Sequence, residues 1–183
     1  MTAVVAVVAS AAGGLEELYE GLVEPLLRLG HQVSVTATPA AVGWLKATAW
    51  VGQLEAATGL PVRSNPRLPF EESPHPRPDV YIAAPATANT VAKLALGIAD
   101  NQALTMLCEN IGTVPMVVFP RVNAAHARQP AWPAHLDALR GVGVRLIYGE
   151  DVWPLFEPRL ASSSRPLPWG AIIAVAEELL AAR

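Results

Sequence analysis

The 183-residue chain has one cysteine, Cys108. A disulfide framework or a cysteine-built zinc site within one chain is thereby excluded. Charge is scarce too. Asp, Glu, Lys and Arg make up 16% of the residues against 52% hydrophobic, where a soluble domain carries roughly 25% charged residues. So little charge points to surface covered in an oligomer. The formal net charge is −3 and no run of Lys and Arg follows any one element, which argues against nucleic acid as a partner. The opening "MTAVVAVVASAAGG" lacks the basic flank of a signal peptide and is too short to span a bilayer. No membrane association and a cytoplasmic location are therefore expected. Also missing are a three-glycine dinucleotide turn after the first strand, a phosphate loop and a zinc-protease helix, so a nicotinamide or nucleoside triphosphate cofactor is disfavoured. With no repeats and no linker, residues 1–183 are expected to form a single domain.

Strand and helix patterns alternate along the chain. Val4 to Ala9 is a continuous β-branched and apolar run, as in a strand buried on both faces. "LEELYEGLVEPLLRLG" follows at helical spacing and stops at Gly30. Gln32 to Thr36 predicts a second strand, and a helical region from "PAAVGWL" runs to about Ala57, with Val62 at the centre of a short strand. Pro61 to Pro78 contains six prolines and is expected to be irregular. Asp79 to Ala84 predicts a strand, Ala88 to Leu96 and Gln102 to Cys108 helices, "VPMVVFP" a strand, "AHLDALRGVG" a helix, "VRLIYG" a last strand and Trp169 to Ala182 a last helix. This alternation specifies a doubly wound α/β fold, a parallel sheet covered by helices on both faces.

Ligands of such sheets bind beyond the carboxyl ends of the strands. The segments there are "ASAAGG", "TATPAA", "PATANT" and "PRVNAAH", all rich in small or hydroxyl residues. Small residues let backbone N–H groups approach a ligand, and a helix N-terminus behind them favours an anion. Thr87 is placed to cap its helix and to offer a hydroxyl to a phosphate.

One segment is long enough to carry a resemblance. "PATANTVAKLALGIADNQALT" is similar to the P-x-S-A-N-T-x-x-K-x-x-x-G-x-x-D-N-L-x-T segment of the homo-oligomeric flavin-containing cysteine decarboxylases. Pro85, Ala88, Asn89, Thr90, Lys93, Gly97, Asp100, Asn101 and Thr105 are in register. "VVASAAGG", "VTATPAA" and "FPRVNAAHARQPAW" resemble that family's other strand-end motifs in the same order. The resemblance implies a Rossmann-like, three-layer α/β/α flavoprotein that binds FMN and assembles as a homotrimer or homododecamer. It implies that Ala9, Ser10, Thr36 and Thr38 line the flavin, and that Thr87, Ala88, Asn89 and Thr90 hold its phosphate and ribityl end. Asn123 would contact a substrate carboxylate, with Arg121 beside it. The implied reaction is oxidative decarboxylation of a cysteine carboxylate on a small molecule or a peptide C-terminus. There the flavin oxidises the thiol to a thioaldehyde that acts as the electron sink.

The chain departs from this pattern in three places. "PRVNAAHA" stands where the family has P-A-M-N-x-x-M-W, which brings in Arg121, Val122 and His126. The family's histidine base falls at the position of Glu71, while the nearest histidine is His75 in "SPHPRPD". The mobile-clamp cysteine of the phosphopantothenoylcysteine decarboxylases is replaced by serine at Ser162. His75 and His126 are the candidates for acid/base work, since imidazole titrates near neutrality. His31 is expected at the surface, and His135, Cys108, Trp44 and Trp132 in packing or interface roles. A flavoprotein with altered or lost activity, or a noncatalytic subunit, remains the alternative.

Overall fold

The computed structural model describes residues 2–159 and 166–182. Its centre is a five-stranded, all-parallel sheet formed by β1 (Val4–Ala9), β2 (Gln32–Ala37), β3 (Val80–Ala86), β4 (Met116–Pro120) and β5 (Arg145–Leu146). The strand order is β2-β1-β3-β4-β5. The chain goes from β1 outward to β2, then returns to lay β3 on the other side of β1. The gap between the ends of β1 and β3 is therefore the point where strand order reverses.

Because strand side chains alternate, each strand feeds two cores. Val5, Val7, Ala9, Val33, Val35, Ile82, Ala84, Val117 and Phe119 face one side. It is covered by α1 (Glu24–Arg28), α2 (Pro39–Ala47), α3 (Trp50–Thr58) and α8 (Trp169–Ala181). Ala6, Val8, Tyr81, Ala83, Met116 and Val118 face the other. That side is covered by α4 (Ala88–Leu96), α5 (Gln102–Asn110) and α7 (Trp132–Gly141), while the short α6 (Ala124–Ala127) lies beyond β4. The doubly wound, three-layer α/β/α architecture is as the alternation specified.

Local differences have physical causes. The first helical run is a 3₁₀ turn at Leu15–Glu17, a π turn at Tyr19–Val23 and only then α1. Pro25 lacks the N–H that a regular helix would use toward Gly21, and the widened turn precedes it. The second helical region is two helices, because Ala49 adopts φ 60°, ψ 11° and turns the chain. Val62 does not centre a strand. Its neighbour Arg63 makes a single bridge to Thr36, donating from its N to the Val35 carbonyl at 3.0 Å and accepting from Ala37 N at 2.7 Å. The last strand shrinks to Arg145–Leu146, and α5 runs two residues past Cys108 to Asn110.

His31 is a correction. Instead of lying at the surface it is 7% exposed. Its Nε2 lies 2.8 Å from Glu177 Oε1 on α8, and its Nδ1 accepts from Ala3 N at 3.3 Å. The helix that closes over it lies 146 positions away.

Candidate functional site at the carboxyl edge of the sheet

Backbone hydrogen bonds tie the four strand-end segments into one rim. Thr38 N donates to the Ala9 carbonyl at 2.9 Å, Ser10 N to Pro85 at 2.9 Å and Arg121 N to Ala86 at 2.8 Å. Across the reversal point the hydroxyls form a chain. Ser10 Oγ lies 2.8 Å from Thr90 Oγ1, which lies 3.1 Å from Thr87 Oγ1. Ser10 and Thr90 are buried and Thr87 half-buried. Thr87 caps α4, accepting from Thr90 N at 3.2 Å. The N–H groups of Ala88 and Asn89 head that helix, where no intrahelical acceptor exists. Asn89 is exposed.

The rest of the motif has a different task. Gly97 at φ 70° ends α4, with Ile98 N donating back to Lys93 O at 2.8 Å. Lys93 pairs with Asp100, and that hydrogen-bonded ammonium holds the exposed Asp100 carboxyl below its usual value. Asn101 caps α5, accepting from Leu104 N at 3.1 Å, and Thr105 Oγ1 donates to Asn101 O at 3.0 Å. One half of the stretch thus builds a polar edge, and the other half locks the turn that sets α5 against α4.

Thr38 caps α2, 3.4 Å from Ala41 N. Thr36 is 1% exposed and donates to Met106 Sδ at 3.4 Å, so its hydroxyl faces α5 rather than the Ser10–Thr90 pair. Ala9 is fully buried under the rim. Asn123 caps α6 by accepting from His126 N at 3.0 Å. With Oδ1 so engaged, Nδ2 is left as the donor. Arg121 reaches back across the rim. Its guanidinium carbon lies 5.2 Å from the Trp153 ring centroid, and Nη2 would lie 3.4 Å from a Cβ on Gly13. Neither Trp153 nor the glycine space for Arg121 was anticipated from sequence, because both contacts are long-range.

The two histidines are not brought together. His126 is exposed on α6. His75 is 7% exposed, with Nε2 2.7 Å from the Pro61 carbonyl. Only a donating Nε2–H satisfies that carbonyl, so Nε2 carries a proton. Burial, and less strongly the Arg63 charge, lower its pKa against the opposing pull of the Pro61 bond. Glu71 is exposed in the loop, its carboxylate accepting from Leu68 N at 2.8 Å. Cys108 is half-buried against the α5 core, where burial pushes its thiol pKa up. Trp132 is buried and donates to Tyr148 at 3.1 Å, whereas Trp44 is half-exposed. His135 lies on α7. Ser162 lies outside the described residues. Among the described residues no group of acids, histidines or cysteines is suited to a metal, and no helix is long and apolar enough to cross a membrane.

The fold recurs in proteins of known structure. TvaF, an FMN-dependent cysteine decarboxylase from thioviridamide biosynthesis, superposes with a TM-score of 0.72 at 23% identity over 99% of each chain. SpaF, an FMN-dependent cysteine decarboxylase, does so with a TM-score of 0.62 at 25% identity, over 96% of this chain and 98% of its own. Among curated proteins, a cysteine/cysteine sulfinic acid decarboxylase from an unknown prokaryotic organism is 38% identical over 69 residues, 38% of this chain. The chain spans 19% of that relative's length, and 17% and 48% of two other relatives it matches. The signature of the Flavoprotein family extends from residue 3 to residue 173, through every strand and both halves of the polar rim, and the chain belongs to that family.

Proposed function

We propose that the protein binds FMN and catalyses oxidative decarboxylation of a cysteine carboxylate, on a small molecule or at the C-terminus of a peptide. The observation that carries this reading is the Ser10–Thr90–Thr87 hydroxyl chain at the head of α4, on the sheet's reversal point. Its donors suit a phosphate and a polyol: the one hydroxyl hydrogen that the chain's two internal bonds leave over, the first N–H groups of α4 and the positive end of the helix dipole. When bound there, FMN would supply a two-electron acceptor for the cysteine's Cβ–S unit.

The chain's own residues hold the substrate and exclude other outcomes. The Nδ2 group of Asn123, oriented by the α6 cap, donates to the carboxylate that leaves as carbon dioxide. Arg121 adds positive charge from the Gly13 side of the rim. His126, on α6 beside Asn123, is the acceptor assigned to the thiol proton, and His75 is its competitor, less suited because its Nδ1 is buried. With Cys108 engaged in packing, no thiol of this chain is set to re-reduce the product, which therefore leaves as the enethiol.

The same reading includes a homotrimer or homododecamer. Apolar side chains left in water support it, Phe70 at 82%, Leu96 at 62% and Trp44 at 50% exposure. An obligate interface of about 2,000 Å² or more would cover such residues.

The test is direct. Flavin released by denaturing the purified protein should be FMN, and cysteine-ended peptides or small thiols should lose carbon dioxide and two hydrogens by mass spectrometry. A colourless protein that takes up no FMN would overturn the proposal. A yellow protein that turns over no cysteine carboxylate would favour the alternative of a flavoprotein with another reaction, which the altered "PRVNAAHA" segment supports.

A further inference from the structure

Trp153 to Glu157 form a strap along the junction of β4 and α6, where they meet Arg121, Ala124 and Arg128 in turn. The Arg121 guanidinium carbon lies over the Trp153 ring, 5.2 Å from its centroid. The Phe156 carbonyl accepts from Ala124 N at 2.8 Å. Glu157 accepts from both Nη groups of Arg128, from Nη2 at 3.0 Å. Asn123 lies between the first two of these contacts. One strap therefore sets the chain on either side of the asparagine assigned to the substrate carboxylate.

The Trp153 indole is itself firmly held. Gly149, at φ 143°, turns the chain, and its carbonyl accepts from Trp153 N at 2.8 Å. The ring is 4% exposed and stands edge-on to the buried Phe119, with centroids 6.0 Å apart at 89°. Arg121 thus folds back onto an indole whose place is set by other contacts, and its Nη2 lies 3.4 Å from where a Cβ on Gly13 would stand. Packing alone does not call for a cation here, since an apolar side chain would cover the indole without the cost of burying part of a guanidinium. A cation over an aromatic face is attracted by the ring quadrupole, while the guanidinium N–H donors lie in its own plane. The stack therefore fixes the direction of the donors without consuming any. A lysine ammonium has no plane to fix.

We propose that Trp153 is a positioning residue for carboxylate recognition: its indole holds the Arg121 guanidinium against Gly13, so that a carboxylate beside Asn123 meets a planar, pre-set cation. A pre-set guanidinium loses less side-chain freedom when the anion arrives, and the saving appears as affinity. The site then discriminates an acid from its amide through Arg121, and it does so only while the indole is in place. The assignment rests on the decarboxylase reading for the fate of that carboxylate, whereas the action of Trp153 through Arg121 does not.

The experiment uses the FMN-treated full-length protein, with N-acetylserine and N-acetylserinamide as probes in which a hydroxyl replaces the oxidisable thiol. Their affinities are compared by ligand-observed NMR. Wild type should prefer the acid about tenfold, the size of one charge-assisted contact. Trp153→Leu should lower that preference roughly twofold to fivefold and leave the affinity for the amide unchanged. A tryptophan that only fills space would, on replacement, weaken acid and amide alike. In an Arg121→Gln background, Trp153→Leu should change the preference no further, because the residue it acts through is gone. Trp153→Phe keeps a ring in the core and guards against misfolding of the leucine variant. It should retain part of the preference, and the near-UV dichroism change that the acid produces in wild type should be absent from it. The proposal is overturned if wild type binds the acid no better than the amide or shows no such dichroism change. It is equally overturned if both Trp153 variants keep the full preference, or if the leucine variant weakens both probes alike. Turnover is read in no arm, so a protein that shows the preference but decarboxylates no cysteine loses the decarboxylase reading and leaves the role of Trp153 standing.

Discussion

Ser10 and Thr90, 80 positions apart in the chain, share a 2.8 Å hydrogen bond across the gap between β1 and β3. Both hydroxyls are buried, and Thr87 extends the pair toward the head of α4. The contact aligns two polar segments that the sequence presents separately, and it places them where a parallel sheet opens.

Thr90→Val keeps the shape of the side chain and removes the shared hydroxyl. Its bonds to both Ser10 and Thr87 are lost, and a loosened cofactor contact worth about 0.5–1.5 kcal/mol should weaken FMN binding roughly threefold to tenfold, read by quenching of flavin fluorescence. Unchanged affinity would remove this hydroxyl chain from the cofactor site.

Asn123 can be tested without disturbing α6. Asn123→Asp still offers an oxygen to His126 N, so the cap survives, but it replaces the Nδ2 donor with a negative oxygen facing the substrate carboxylate. Turnover of a cysteine-ended substrate should fall at least tenfold to a hundredfold, equivalent to about 1.5–3 kcal/mol, with bound FMN unchanged. Asn123→Ala loses cap and donor together. An Asp variant as active as wild type would place the carboxylate elsewhere.

Gly21 lies in the π turn, and a Cβ there would collide with the indole of Trp169. That ring cannot swing away freely. It is 7% exposed, its Nε1 donates to Glu17 at 3.2 Å, and its centroid lies 6.4 Å from Phe119. Gly21→Ala should therefore destabilise the fold by about 1–3 kcal/mol despite the better helix propensity of alanine. Denaturant titration checks this, and an unchanged midpoint would show that the indole has room.

His75 makes stability depend on pH. Its folded pKa lies below the ordinary value of 6.5, chiefly because it is buried. Below 6.5 the unfolded chain takes up the proton first, so ΔG of unfolding falls as pH drops from 6.5 through the folded pKa. Above 6.5 the full contribution is present. A series of denaturation curves from pH 7.5 to pH 5, values near the imidazole range, should show this decline, and His75→Gln should flatten it. Equal slopes would mean that folding leaves the His75 pKa unchanged.

Much of the architecture was legible because its causes are local. Apolar β-branched runs gave β1 and β3, and the threonine cap at Thr87 marked where α4 begins, whereas the short α6 that Asn123 caps was not expected. The stops at Gly30 and Gly97 follow from positive φ, which glycine adopts without a Cβ clash. The first helix was misjudged because Pro25 and the indole facing Gly21 reshape it through packing. The break at Ala49 carries no glycine or proline to announce it.

The sequence by itself determined the alternation of strand and helix, the polar strand ends and the membership implied by "PATANT…IADN". Each of these depends on residues close in the chain. Only the tertiary structure decided that β3 lies beside β1, so that Ser10 meets Thr90. It also turned Thr36 toward Met106, buried His31 beneath Glu177, and separated His75 from Asn123. Strand order and side-chain contact depend on segments that meet across tens of residues, where hydrophobic periodicity carries no information about which neighbour each element will choose.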